Sequence, residues 1–315
     1  MLKRKFSILL LGIICILQFT ACQSVKVSEN KGEFYSFTDS LGNNVVLKER
    51  PKKVVSLIGS YAETWVLAGG ELAGVTNDAF SERNMDLPKD VKIVGTIKEP
   101  NVEEILSISP DFVLLSPEIE SHVKVSQTLK KANIPCAFFK VDDFNDYLKM
   151  LDICTSITRD KDAYEKNGLL VKKQIDDCLS KIDKSSKPSV LFIRAFSNGA
   201  KAKSGDNITC KMLEDLGTVN IAAKHKSLLE DLSIEEIIED DPDFIFVVTM
   251  GENSERAMES LKKGIEKNPA WKSLSAVKNG RYIVLPKELF HYKPNAKWGE
   301  SYEYLAKILY PDSFK

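Results

Sequence analysis

The chain of 315 residues carries 44 Lys and Arg against 45 Asp and Glu. Without a basic excess it has little with which to neutralise a phosphate backbone, which excludes nucleic acid as an expected partner. At 43% hydrophobic and 28% charged residues it is neither disordered nor fibrous, and its length suits two domains of ordinary size. At the N-terminus Lys3, Arg4 and Lys5 precede an apolar run from Phe6 to Leu17 broken only by Ser7 and Gly12. That order reads as an export signal over residues 1–21, because the run falls short of the roughly 20 apolar residues that span a bilayer. "QSVKVSENKGE" at 23–33 is polar, and residues 22–33 read as a tether.

The fold is expected to begin at residue 34. "KKVVSLIGS" (52–60) predicts a first strand, followed by a helix carrying "AETWVLAGG"; "KIVGT" (92–96) predicts another strand. At 101–115 "NVEEILSISPDFVLL" reads as a short helix capped by Asn101, with Glu104 placed as a capping-box partner, then a turn at Pro110 and a strand buried on both faces. Helical periodicity over 121–133 precedes a strand at 136–141. Tyr164, Gly168, Val171, Ile175, Cys178, Leu179 and Ile182 recur at three- and four-residue steps, which predicts one amphipathic helix over 158–183, about 39 Å long if continuous.

The second half repeats the plan. "PSVLFIRAF" (188–196) predicts an opening strand and "CKMLEDLG" a helix; "SIEEIIEDDPDFIFV" (233–247) then restates the motif of 101–115 with Ser233 as cap and Glu236 as its box partner, and "RYIVLP" (281–286) adds a strand. Strands alternating with helices argue α/β: two α/β sandwich lobes with mostly parallel central sheets and one long joining helix. The expected divisions are 34–157 for the first lobe, 158–184 for the helix and 185–315 for the second lobe. Cys136 and Cys154 sit among apolar neighbours and read as buried thiols rather than disulfides, and whether any cysteines pair stays open.

Two resemblances follow from these residues. "FTAC" places Thr20 and Ala21 before Cys22 and resembles the lipobox of bacterial lipoproteins, with Phe19 where Leu is usual. It implies cleavage before Cys22, lipid on its thiol and a chain anchored to the outer face of a cytoplasmic membrane; an ordinary secreted protein is the alternative. The opening "RPKKVVSLIGSYAETWVLAGG", then "IVGTIKEPNVEEILSISPDFVLLS", the long helix and "NPAWKSLSAVKNGRYIVL" resemble the iron-siderophore and cobalamin family of ABC-transporter substrate-binding proteins. The resemblance implies a ligand cleft between the two lobes, and a monomeric receptor that takes a ferric siderophore, haem or corrinoid as cargo, needs no cofactor and delivers to a membrane permease. It also implies that Glu103 and Glu235, one on each lobe, meet arginines of that permease.

The rule that ligands in open α/β sheets bind beyond the carboxyl ends of strands nominates the pocket. It selects Ser60, Tyr61, Thr96, Lys98 and Ser116 in the first lobe, and Arg194, Phe196, Met250, Phe290, His291 and Tyr292 in the second. Arg194 would grip a carboxylate or phosphate, or else pair with an acidic neighbour; Tyr61, Phe290 and Tyr292 would offer a broad face to a flat ligand. Trp65 and Trp298 are expected in the core, and His122 and His225 in charged surroundings. The 3 histidines are too scattered for the ligand clusters that hold a bare metal ion, and neither a catalytic triad order nor a phosphate loop is present. An exported enzyme on the same scaffold, or a receptor for a sugar or peptide, remains the competing reading.

Overall fold

The computed structural model describes residues 32–251 and 253–315, so the expected export signal, Cys22 and most of the expected tether lie outside the described residues. The strands are β1 (Tyr35–Thr38), β2 (Asn44–Leu47), β3 (Val54–Ser56), β4 (Leu72–Val75), β5 (Lys92–Ile93), β6 (Phe112–Leu115) and β7 (Cys136–Phe138). The second half supplies β8 (Ser189–Phe196), β9 (Gly199–Ala202), β10 (Val219–Asn220), β11 (Phe244–Thr249) and β12 (Tyr282–Val284). The first lobe is a five-stranded sheet in the order β5-β4-β3-β6-β7, parallel throughout. The second has the parallel order β10-β8-β11-β12, with β9 antiparallel on β8. In each sheet the order reverses beside that sheet's first strand in the chain, between β3 and β6 and between β8 and β11, and such reversals open a crevice at the strand ends.

Both copies of the repeated motif fold as helix, turn and strand. Val102–Ile108 leads to β6 and Ile234–Asp240 leads to β11. Asn101 Oδ1 accepts the N–H groups of Glu103 and Glu104 at 3.0 and 3.2 Å, and Ser233 Oγ accepts that of Glu236 at 3.4 Å. The reciprocal half of the expected capping box is absent: Asn101 N–H donates to Val94 O at 2.8 Å, and the Glu236 carboxylate accepts from Ser227 Oγ. Each helix ends on a left-handed residue, Ser109 (φ 52) and Asp241 (φ 37), before the motif's proline. The aspartate after the motif's proline then ties the sheet: Asp111 accepts the N–H groups of Lys52 and Lys53, and Asp243 accepts that of Ser189 at 2.8 Å. Each copy thereby fixes the start of the strand beside its own, which is a physical reason for "PDF" to recur.

The joining helix differs from expectation at its start. Phe144–Thr158 is a separate helix that ends on Arg159 at φ 60; Asp160 then caps a new one, its Oδ1 accepting Ala163 N–H at 2.9 Å. The helical run is Lys161–Tyr164, a π turn Glu165–Leu169 and Leu170–Lys181, about 31 Å rather than 39 Å. The predicted strands are also shorter than the apolar runs that announced them, and β1, β2, β4, β9 and β10 were not expected.

One apolar cluster runs through both lobes. It takes Val54, Trp65 and Phe112 from the first, Val171, Ile175 and Cys178 from the joining helix, and Phe192, Phe246 and Trp298 from the second. Each sheet's opposite face has its own cluster, around Val55, Val113 and Ile105 and around Ile193, Val247 and Trp271. Both sheets are thus covered on both faces, as parallel sheets require. Cys136, Cys154, Cys178 and Cys210 are free thiols, and burial pushes that of Cys136 up to about 11. No helix among the described residues is long and apolar enough to cross a membrane.

Candidate functional site

The crevices of the two sheets face one another across a cavity of about 250 Å³. The first lobe lines it with Ile58 and Ser60 after β3, Asp78, Glu82 and Arg83 after β4, Ile97, and Glu118, Val141 and Asp142 after β6 and β7. The second lobe brings Arg194 on β8, Asp206, Asn207 and Ile208, and the run Phe290–Lys293.

Of the residues expected from the sequence, Ser60, Arg194, Phe290, His291 and Tyr292 meet here. Tyr61, by contrast, is 1% exposed and its hydroxyl donates to Phe139 O at 2.6 Å. Successive residues of a helix point about 100° apart, so Ser60 and Tyr61 cannot both face the cleft. Ser116 is buried, its N–H donating to His122 Nδ1 at 3.1 Å, and His122 Nε2 donates to Ile97 O at 3.0 Å. His122 therefore lies in the interior, against expectation, as a strut between two cleft-side loops, and burial lowers its pKa to about 4. His225 does stand in charged surroundings, 2.7 Å from Asp240. Thr96 and Lys98 are exposed and off the cavity, Thr96 Oγ1 accepting Glu99 N–H at 3.0 Å. Phe196 does not line it, and Met250 stands behind Arg194, accepting from its Nε at 2.7 Å. Trp65 and Trp298 are core residues, 2% and 1% exposed.

Acidic side chains outnumber basic ones on the lining, yet several are neutralised in place. Asp142 meets Lys140 at 2.9 Å and Asp206 meets Lys203 at 2.8 Å; Asp78 accepts Gly59 N–H at 2.6 Å, at the start of helix Gly59–Leu67. The cations are left differently. Arg83 is ion-paired with Glu63, and burial lowers its pKa to about 10. Arg194 and Lys293 have no carboxylate within ion-pair distance among the described residues, and burial lowers both their pKa values. Lys293 Nζ donates to Val141 O at 2.6 Å. The His291 ring lies 4.7 Å from that of Tyr292 at a tilt of 40°, and burial, then the charges of Arg194 and Lys287, lower its pKa to about 4. Its Nδ1 and the Arg83 Nε are buried without a hydrogen-bond partner. Buried donors and acceptors rarely stay so, which marks both as groups a ligand can satisfy.

The aromatic contribution comes from Phe290 and Tyr292 alone, both from the second lobe, so the broad face expected of three rings is reduced. The residues the sequence reading missed include Asp78, Glu82 and Arg83. They follow β4, whose "LAGV" is diluted by Ala73 and Gly74; a Cβ at Gly74 would stand 2.7 Å from Ile108 Cδ1, so the small residue is set by helix packing rather than strand propensity. Among the described residues no cluster of His, Cys, Asp and Glu is arranged to hold a metal ion.

Two parallel sheets joined by a helix, with a charged cavity between their strand ends, define a two-lobed small-molecule receptor. The chain belongs to the periplasmic binding protein family, whose profile matches residues 54–289. Among its relatives in Bacillus subtilis (strain 168), the putative ABC transporter substrate-binding lipoprotein YhfQ is 28% identical, covering 89% of each chain. The Fe(3+)-citrate-binding protein YfmC is 26% identical over 87% of this chain and 86% of its own. A periplasmic solute binding protein from Veillonella parvula DSM 2008 has the same fold, with a TM-score of 0.70 at 20% identity over 89% of this chain and 88% of that one.

Proposed function

We propose that this chain is the extracytoplasmic substrate-binding lipoprotein of an ABC importer, and that its cargo is an iron complex or a corrinoid presenting an anionic group. The observation that carries the reading is Arg194, a half-buried guanidinium on the cavity wall with no carboxylate within ion-pair distance among the described residues, and Lys293 lines the same cavity. A planar, permanently charged fork of that kind suits a carboxylate or a deprotonated chelate oxygen. Neutral His291 beside it supplies an unpartnered ring nitrogen. The relatives support the iron assignment, since YfmC is named for Fe(3+)-citrate. Ferric siderophore, haem and corrinoid are the cargo classes to be separated.

The mechanism is capture and delivery, without bond making and without a resident cofactor. Cys22 carries the lipid that holds the chain at the outer face of the cytoplasmic membrane, and Glu103 and Glu235 contact the permease. Both glutamates are exposed in the first turn of their helices, where the helix dipole favours a carboxylate, and Glu235 accepts from Ser233 Oγ at 3.1 Å.

The test is intrinsic fluorescence of the purified protein titrated with ferric citrate, ferric siderophores, haem and cobalamin. One member should saturate, and Arg194→Gln should weaken it about ten- to a hundredfold, the worth of a charge-assisted hydrogen bond. Saturation by none of the panel would overturn the cargo assignment.

A further inference from the structure

The cavity residues do not account for the bonds that cross between the lobes behind them. After β12 and helix Lys287–Phe290 the chain leaves the second lobe and lies against the first. Asn295 is 2% exposed, and its Nδ2 donates to Ser60 O at 2.9 Å and to Glu63 Oε2 at 2.6 Å. The same Glu63 oxygen meets the Arg83 guanidinium, whose Nη1 donates to Lys293 O at 3.0 Å. Glu63, Asn295, the backbone back to Lys293, and Arg83 form a closed ring that joins the lobes. Lys293 Nζ adds a crossing bond to Val141 O.

Glu63 and Asn295 do not line the cavity, whereas Ser60, Arg83 and Lys293 do. We propose that Glu63 and Asn295 are positioning residues: they clasp the lobes and set Ser60, Arg83 and Lys293 in binding geometry before the cargo arrives. The proposal rests on the reading of the cavity as the cargo site. Asn295 has φ 53, a left-handed conformation that asparagine tolerates better than most side chains and that persists where surrounding bonds fix it. Charge-assisted hydrogen bonds out of water are stronger than their solvated counterparts. The apolar cluster shared by both lobes leaves little freedom for a wide hinge motion, so affinity in such a receptor comes from walls that are already placed. Every bond of the ring that leaves Glu63 ends on a cavity residue or on the segment that carries one.

The experiment uses the full-length protein in detergent. Amide hydrogen exchange is followed without ligand in the wild type, in Asn295→Asp and in the double variant Glu63→Gln with Asn295→Asp. The single change replaces a donor by a carboxylate facing both Glu63 and Ser60 O; the second change returns a donor to the pair. In the wild type, segments 58–65 and 290–297 should exchange as one unit. Asn295→Asp should speed both about tenfold or more, leave the strands of both sheets unchanged, and be largely rescued in the double variant. Fluorescence titration with ferric citrate should then show weaker binding in Asn295→Asp and recovery in the double variant. Independent exchange of the two segments in the wild type overturns the clasp, as does exchange unaltered by Asn295→Asp or loss of protection throughout both sheets without rescue. Ferric citrate binding that is the same in all three proteins overturns the positioning role. No binding of ferric citrate to the wild type counts against the cargo reading, and the clasp is then decided by the ligand-free exchange alone.

Discussion

Buried imidazoles give this receptor an acid limit. His122 and His291 both have pKa values lowered to about 4, chiefly by burial. In the unfolded chain an imidazole titrates near its ordinary value of about 6.5. Between those values the unfolded state binds more protons, so stability is complete above about pH 6.5 and falls as the pH drops toward 4. The denaturant midpoint should therefore decrease between pH 7 and pH 4.5. His122→Gln should be less stable at pH 7, because the strut between the Ser116 and Ile97 loops is altered, but should show a shallower acid dependence; an unchanged slope would remove His122 from this account. The strand-end rule found Arg194 and Ser60, because the position of a side chain at the end of a strand is a local property. It failed at Tyr61 and Ser116, where the choice between cavity and core was made by the phase of a helix and by the His122 ring that accepts the Ser116 N–H.

The elements that hold the site are fixed by short-range features and by close approach. The caps at Asn101 and Ser233 were legible as residue types at a spacing, while the missing reciprocal bonds were not, since Val94 and Ser227 compete for the same groups from elsewhere in the chain. The joining helix was legible as a periodicity, but its π turn was not. Tyr147 hydroxyl donates to Asn167 O at 2.9 Å and Asn167 Nδ2 to Leu67 O at 2.7 Å, so the extra residue is stabilised by contacts with the first lobe. Against the later part of this helix lies Trp298–Leu309, and Gly299 makes that approach possible. A Cβ there would stand 2.8 Å from Gln174 Cβ. Gly299→Ala should consequently destabilise the protein by about 1–3 kcal/mol, through overpacking rather than helix propensity, which favours Ala. Thermal or urea unfolding checks the sign: a gain in stability would show that the helices can separate at no cost.

At the level of the whole molecule, Glu103 and Glu235 sit at equivalent points of two similarly built lobes, and one apolar cluster takes residues from both lobes. In the proposed docking role, carboxylates so placed would make a two-point contact, since charge pairs set partner and orientation more than affinity. Glu103→Lys combined with Glu235→Lys should reduce uptake of the cargo at least tenfold in cells, with each single variant intermediate; uptake equal to wild type would sink the docking role.

The two-lobed α/β architecture, the repeated helix-turn-strand unit and the joining helix could be read from the chain alone, because alternation, periodicity and capping residues act over a few positions. What the tertiary structure decided was which side chains the strand ends turn inward. It also decided that a segment from the end of the chain, Lys293–Asn295, reaches across to the opposite wall. Those outcomes depend on contacts between residues as far as 235 positions apart, and no local pattern encodes a partner at that separation.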